Sequence, residues 1–506
     1  MSDESSVPAS WSKAPVAELV EIVRPRVDPA SRSDLAFIGL EHVEAHSMRL
    51  LATAPALSVR SLSIHFHPSD VLYSRLRPYL NKVLCPEFEG LCSAEFIVLT
   101  PHPGVVAKFL QYRLNAADFV DFASHLDEGD RPRVDVGQIG QFRVDLPPHR
   151  EQLRIIQQLE AQLSRLDAAI ACLERVARNL KRYRASVLRA AVEGQLVPTE
   201  AELARREGRA LEPASAQLAR ILVARRRRWE EAELARLTAK GKRPTDERWK
   251  VKYVEPLAPD TSTLPLLPEG WLWSTIDTVG DVLLGRRRAP EYRGEERAYL
   301  RVANVRDDRI DFSDVFSMPF DDTEYAKYRL EKGDILASEG QSPELVGQSA
   351  IFRGERSDLC FQATLHRFRP WNGGPSSEFC QAVFRAFVRN GVFMRRASIT
   401  TNIAHLTRGR FVATPFPLPP LAEQHRIVAE VSRLLSVADE VGETVATQLA
   451  RCARLRQSIL KMAFEGKLVD QDPHDEPASV LLERIRAERA AHQPKKRGAR
   501  ATRRRT

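Results

Sequence analysis

Residues 146–156 read LPPHREQLRII, and residues 418–428 read LPPLAEQHRIV. Each opens a stretch that closes on a second shared phrase, AVEGQLV at 191–197 and AFEGKLV at 463–469. The offset between the copies is a constant 272 without a gap, and 19 of the 52 aligned positions are identical. Self-similarity of this kind marks a duplicated structural unit. The two prolines fix φ and discourage helix just before them, so each copy enters a helix from a rigid extended segment.

Inside each copy the apolar residues recur at alternating steps of three and four. The first seam is Ile156, Leu159, Leu163, Leu166, Ile170, Leu173, Ala177 and Leu180. The second is Val428, Val431, Leu435, Ala438, Gly442, Val445, Leu449 and Cys452. A sustained 3.5-residue period is a coiled-coil signature and more than a single core helix needs. Gly442 weakens the second copy by about 1 kcal/mol of helix propensity. The next seam position is Arg184 in one copy and Arg456 in the other. There the seam ends, or it meets something acidic. Each helix predicts about 45 residues, roughly 65 Å at 1.5 Å per residue. A twofold relation between the copies would set the two helices antiparallel.

The repeat extends in both directions. Val7-Pro8-x-x-Trp11 matches Leu267-Pro268-x-x-Trp271, and SDVLYSR (69–75) matches GDILASE (333–339). Downstream, EPASAQLARILVAR (212–225) matches EPASVLLERIRAER (476–489). The expected fold class is α+β. Two mixed α/β domains are separated by two long helices packed as an antiparallel coiled coil, with a pseudo-twofold internal repeat. The expected boundaries are 11–145 and 267–417 for the mixed domains, and 146–197 and 418–469 for the long helices. A charged helix and linker fill 198–266, and a charged helix with a basic tail fills 470–506. The mixed domains resemble each other far less than the helices do, which suggests a common scaffold carrying two different reading surfaces.

Composition bounds the rest. The 506 residues make room for roughly three or four domains at about 150 residues each. An apolar fraction of 43% supports real cores. The 76 Lys and Arg against 67 Asp and Glu give a net charge of +9, which permits a polyanionic partner. No apolar run approaches the length of a membrane span. The acidic, polar start MSDESSVPASW is not expected to be a signal peptide. Six cysteines without a CxxC argue against a disulfide scaffold or zinc ribbon, and a reducing cytoplasm is the expected location.

PLPPLAEQHRIV, AFEGKLV and EPASVLLERIRAER, in that order, together resemble the specificity subunit of type I restriction–modification systems. FIGLEHV…DVLYSRLRPYLNKV…CSAEFIVL in the first domain and LPEGWLWSTI…KGDILASEG in the second carry the same resemblance across essentially the whole chain. It implies two target recognition domains, each reading one half of a split site in double-stranded DNA, with the long helices as the spacer between them. It further implies two methyltransferase subunits bringing S-adenosylmethionine, and motor–nuclease subunits using ATP and Mg. The chain itself would hold no cofactor, no metal and no catalytic residue, and would have no membrane partner. The absence of a GxxxxGK[ST] phosphate loop and of an adenine-methyltransferase Asn/Asp-Pro-Pro-Tyr/Phe stretch agrees with that. A fused restriction–methylation enzyme would need those motifs. A coiled-coil adaptor without DNA specificity would predict two alike domains.

DNA contacts are expected where bases and hydrogen-bonding groups interleave. In the first domain these are Arg75, Arg77, Tyr79, Asn81 and Lys82, beside Tyr73, with Arg131 and Arg133 as phosphate contacts. In the second they are the triplet Arg286, Arg287 and Arg288, then Ser338, Glu339 and Gln341, then Thr400, Thr401, Asn402 and His405. Arg reads guanine, Gln reads adenine and Glu accepts from cytosine. His405 has no carboxylate or nucleophile near it in sequence and is expected to be structural or a phosphate donor. The run Arg225–Arg228 is expected to be a solvated helix face, because Glu230, Glu231 and Glu233 follow it.

Overall fold

The computed structural model describes residues 7–23, 25–126, 131–242, 244, 246–287, 294–400 and 402–492. The chain divides into two compact units, 1–174 with 446–506, and 175–445. The division falls inside both long helices, His149–Val192 and Leu421–Phe464. Each unit therefore holds one mixed domain, the start of one long helix and the end of the other.

In the first unit, strand Ser12–Pro15 pairs antiparallel with Arg143–Leu146, so the first and last strands of the domain meet. A four-stranded sheet follows the order Val20–Val23, Phe96–Pro101, Val71–Ser74, Val83–Leu84. A five-stranded sheet lies beyond it, with Ser63–Phe66 and Gly90–Cys92 near its centre. In the second unit, Leu272–Thr275 pairs with Pro415–Leu418 in the same way. Its four-stranded sheet runs Gly280–Leu284, Leu365–Pro370, Ile335–Ser338, Ser349–Ile351, which repeats the topology of the first. An amphipathic helix backs each sheet. Ala117–Ser124 buries Phe119 and Ala123, and Ser377–Arg389 buries Phe379, Val383, Phe384 and Phe387.

The long helices run antiparallel within each unit. In the first, Ile155, Ile156 and Leu159 share a core with Leu460 and Ala463, and Arg456 pairs with Asp167. In the second, Val187, Leu188 and Ala191 share a core with Ile427, Val431 and Leu435, and Arg184 pairs with Asp439 at 2.7 Å. The two ion pairs are the same pair twice, since 167 and 439, like 184 and 456, differ by the repeat offset. The seam charge therefore meets an acid. Gly442 leaves room for it, because a Cβ there would lie 3.2 Å from Arg184 Nη2. Along the seam, Ile156, Leu159, Leu163, Val431, Leu435 and Val445 are buried. Leu166, Ile170, Leu173, Leu180, Val428 and Leu449 are half-buried.

The geometry also gives each shared motif residue a task. In LPPxxEQxRI, the Glu accepts from a tryptophan indole: Trp11 Nε1 donates to Glu151, and Trp271 Nε1 to Glu423, both at 3.0 Å. The Gln donates back to the carbonyl of the second residue of LPP, at 3.0 Å for Gln152 to Pro147 and 2.8 Å for Gln424 to Pro419. The Arg reaches an acid beyond the far helix end, Arg154 to Asp475 and Arg426 to Glu200, both at 2.7 Å. In EGxLV, Gly194 and Gly466 both adopt φ of +70°, and each lies under the Pro and Trp of the Pro-x-x-Trp motif of its own unit. The EPAS helices then return to the mixed domains. Ala478 N donates to Ser10 O and Ala214 N to Gly270 O, both at 2.9 Å.

No helix among the described residues is long and apolar enough to cross a membrane.

Candidate nucleic-acid interface

In the first domain, strand Val71–Ser74 leaves its sheet at Arg75 and returns at Val83–Leu84. The intervening turn is tight, with Arg77 and Asn81 both left-handed at φ of 52° and 38°. A second segment lies along it. Val134 N donates to Arg75 O, Arg77 N donates to Pro132 O, and Leu76 bridges Arg133. Two basic clusters separated by nearly fifty residues thus become one surface. Arg77, Tyr79, Arg131 and Arg133 are exposed on it. Arg133 is paired with Glu95 at 2.7 Å.

The second domain builds the same junction. Glu339 N donates to Thr364 O at 2.9 Å, as Arg75 N does to Glu95 O. Gly340 then pairs with His405, the counterpart of the Leu76–Arg133 bridge. A hairpin completes it. Ser398–Thr400 and Ile403–His405 pair antiparallel, and Gly340–Gln341 adds the third strand. The structure so joins the two clusters read separately from the sequence, 338–342 and 400–405. Thr400 and Asn402 are exposed at the hairpin tip, Gln341 is half-buried, and His405 Nδ1 lies 3.5 Å from Glu339. Arg395, Arg408 and Arg410 are exposed on the segments that flank the hairpin.

Several expected contacts lie elsewhere, each for a definable reason. Tyr73 is fully buried, packs edge-on against Phe119, and has its hydroxyl pKa pushed up by burial. Asn81 is buried and donates to Asn115 Oδ1 at 2.7 Å, and Lys82 spends its ammonium on Leu40 O at 2.6 Å. Arg75 is half-buried, with its backbone tying the two segments together. Arg286 belongs to the core rather than to an exposed turn. It is 2% exposed, pairs with Glu324 at 2.7 Å, bonds Pro319 O, and stacks over Phe320 at 4.5 Å. Ser338 is buried and donates to Leu345 O. Arg287 is exposed, whereas Arg288, Thr401 and the tail from 493 lie outside the described residues. The Arg225–Arg228 run is only partly solvated. Arg225 pairs with Asp277 at 3.1 Å, and Arg228 lies over the Trp371 ring.

The sequence reading passed over Ile399 and Ile403, which are 54% and 50% exposed beside Thr400 and Asn402. Two isoleucines alternating within an otherwise polar loop were the available signal. It also passed over Asp167 and Asp439, whose identity in both copies at a position off the seam marked them as partners for a charge.

Comparison with known proteins places this arrangement. Residues 317–449 match the family model for the type I restriction modification DNA specificity domain. The EcoDI specificity subunit of a type I restriction enzyme from Escherichia coli is 27% identical over 375 residues, covering 72% of this chain and 73% of the relative. The EcoKI specificity subunit from Escherichia coli strain K12 is 23% identical over 410 residues, covering 79% and 75%. A chain from a structure of type I R-M system assembly superposes with a TM-score of 0.65 at 16% identity, covering 91% of this chain and 99% of that one. The HsdS subunit from Thermoanaerobacter tengcongensis gives 0.51 at 18% identity, covering 92% and 99%. These two show a shared fold.

Proposed function

We propose that the chain is a specificity subunit of the type I restriction–modification kind, the family its similarities point to, and that each mixed domain reads one half of a bipartite, gapped site in double-stranded DNA. The observation that carries the reading is the junction built twice. The same backbone pairing, 75–77 with 132–134 and 339–341 with 404–406, presents different side chains in the two domains. A common junction carrying different side chains, with an added hairpin in the second domain, suits recognition of two unlike half-sites.

The chemistry differs accordingly. In the first domain, exposed Arg77, Arg131 and Arg133 with Tyr79 supply phosphate neutralisation and guanine readout. In the second, the hairpin at the edge of its three-stranded sheet presents Thr400 and Asn402 for base edges and Ile399 and Ile403 for thymine methyl groups, as a β-ribbon in a major groove would. The arginines flanking the hairpin are suited to phosphate contacts that set register.

Catalysis belongs to partners in this reading. Two methyltransferase subunits bring S-adenosylmethionine and take the target adenine out of the stack, because its reactive atom cannot be reached inside the duplex. Motor–nuclease subunits bring ATP and Mg. The assembly acts in the cytoplasm. The test is exchange of residues 11–145 for the equivalent domain of a relative with a different site. One half of the methylated sequence should change and the other should persist. A change in both halves, or in neither, overturns independent reading.

A further inference from the structure

The first domain carries a cluster that the DNA-reading junction does not use. Strand Ser63–Phe66 pairs antiparallel with Gly90–Cys92, with Phe66 opposite Gly90. One residue further out in that register, His67 stands opposite Glu89. Successive side chains alternate across a sheet, so His65 and His67 share a face while Phe66 is buried on the other. The two imidazole rings sit edge to face with centroids 4.5 Å apart. His65 Nε2 lies 2.7 Å from Glu89 Oε1, and one ligand atom from each of the three residues lies within 4.8 Å of the others. His65 is half-buried, while His67 and Glu89 are exposed. Arg32 bonds Glu89 at 3.0 Å.

We propose that His65, His67 and Glu89 form a zinc site on the first recognition domain, with the fourth position open to water. Two imidazole nitrogens and one carboxylate oxygen suit the borderline preference of Zn²⁺. Tetrahedral ligands at about 2.0–2.1 Å stand about 3.3 Å apart. Closure therefore asks the His65–Glu89 hydrogen bond to open by about half an ångström and the His67 ring to turn inward. Arg32 then acts as the outer partner that orients the carboxylate. The ion ties strand Ser63–Phe66 to the turn that precedes Gly90–Cys92. It stabilises the five-stranded sheet by mass action, because the unfolded chain lacks the preformed triad.

The experiment is titration of the full chain with zinc chloride alone, against a chromophoric chelator, with thermal unfolding in parallel. One equivalent should bind and raise the unfolding midpoint. His65→Ala and His67→Ala should each weaken binding at least about tenfold and abolish the thermal shift. Glu89→Gln should weaken binding, and His125→Ala, at an exposed histidine elsewhere in the domain, should change nothing. The double variant H65A/H67A in the absence of zinc should stay folded and melt close to the wild type, since it loses one surface hydrogen bond, His65 to Glu89, and no core side chain. Failure to bind zinc, or to raise the unfolding midpoint, in a large excess of the ion over the chain overturns the site. So does binding that survives in the double variant, which would place the ion elsewhere.

Discussion

A single methyl group at the end of each long helix tests how the helix ends dock on the recognition domains. Gly194 and Gly466 occupy equivalent positions in the repeat, both with φ of +70°. An alanine Cβ at Gly194 would lie 3.2 Å from Trp271 Cζ2, and nearer still to Pro268 Cγ, well inside van der Waals contact. At Gly466 it would lie 3.3 Å from Trp11 Cζ2 and nearer still to Pro8. The left-handed backbone alone costs about 1 kcal/mol for a residue with a Cβ. Overpacking against a proline ring, which cannot rotate away, adds about 1–3 kcal/mol. The expected total is therefore about 2–4 kcal/mol at either site. Gly208 supplies the control: its φ is +64°, and nothing lies within 4 Å of its added Cβ. Gly208→Ala should cost only the backbone contribution of about 1 kcal/mol. Urea unfolding followed by tryptophan fluorescence reads all three variants, with Trp11 and Trp271 beside the perturbed glycines. If G194A and G466A cost no more than G208A, the docking of helix end on Pro-x-x-Trp is wrong.

Other outcomes follow from named groups. Arg286→Ala should destabilise the second domain by about 3 kcal/mol, by leaving Glu324 without its buried partner, whereas Arg287→Ala should leave stability unchanged in the same denaturation assay. Asn402→Ala should weaken binding to the cognate site by about 1–3 kcal/mol with the salt slope unchanged, while Arg131→Ala should lower the slope of log affinity against log salt by about 1. Equal salt slopes for these two variants would contradict the division into base and phosphate contacts. Burial pushes the Glu151 and Glu423 carboxyls up, against the hydrogen bonds from Gln471 and Trp11 and from Glu200 N and Trp271. A carboxyl raised on folding favours the protonated native state. Its contribution is complete below the ordinary value of 4.5 and is lost as pH climbs through the raised one. The double variant E151Q/E423Q, with no proton to lose there, should show a flatter decline of stability from pH 4.5 upward than the wild type; a steeper decline would reverse the sign of the argument.

The duplicated helices were legible in the sequence because their offset has no gap and their period is a local property of the chain. The EQ and EG motifs were visible as repeats but not as contacts, since their partners Trp11, Asp475, Trp271 and Glu200 lie far away in sequence. The reading surfaces were legible as segments and only partly as residues. Arg286 looks like an exposed basic turn until Glu324, thirty-eight residues on, and Phe320 close over it. Lys82 and Asn81 sit in a run of bases and aromatics, yet the left-handed turn points them at Leu40 O and Asn115. Exposure in these domains is decided by non-local strand pairing. That is why Arg77, Tyr79, Arg131 and Arg133, each named from the sequence, join into one surface only through the pairing of 132–134 with 75–77.

The most direct test of two-part recognition is a genome methylation map by long-read sequencing. It compares a host carrying this chain and its neighbouring methyltransferase with a host lacking this chain alone. The account predicts one methylated sequence in two parts separated by a fixed gap, present in the first host and absent from the second. A continuous methylated sequence, or a motif that persists when the chain is deleted, would contradict it.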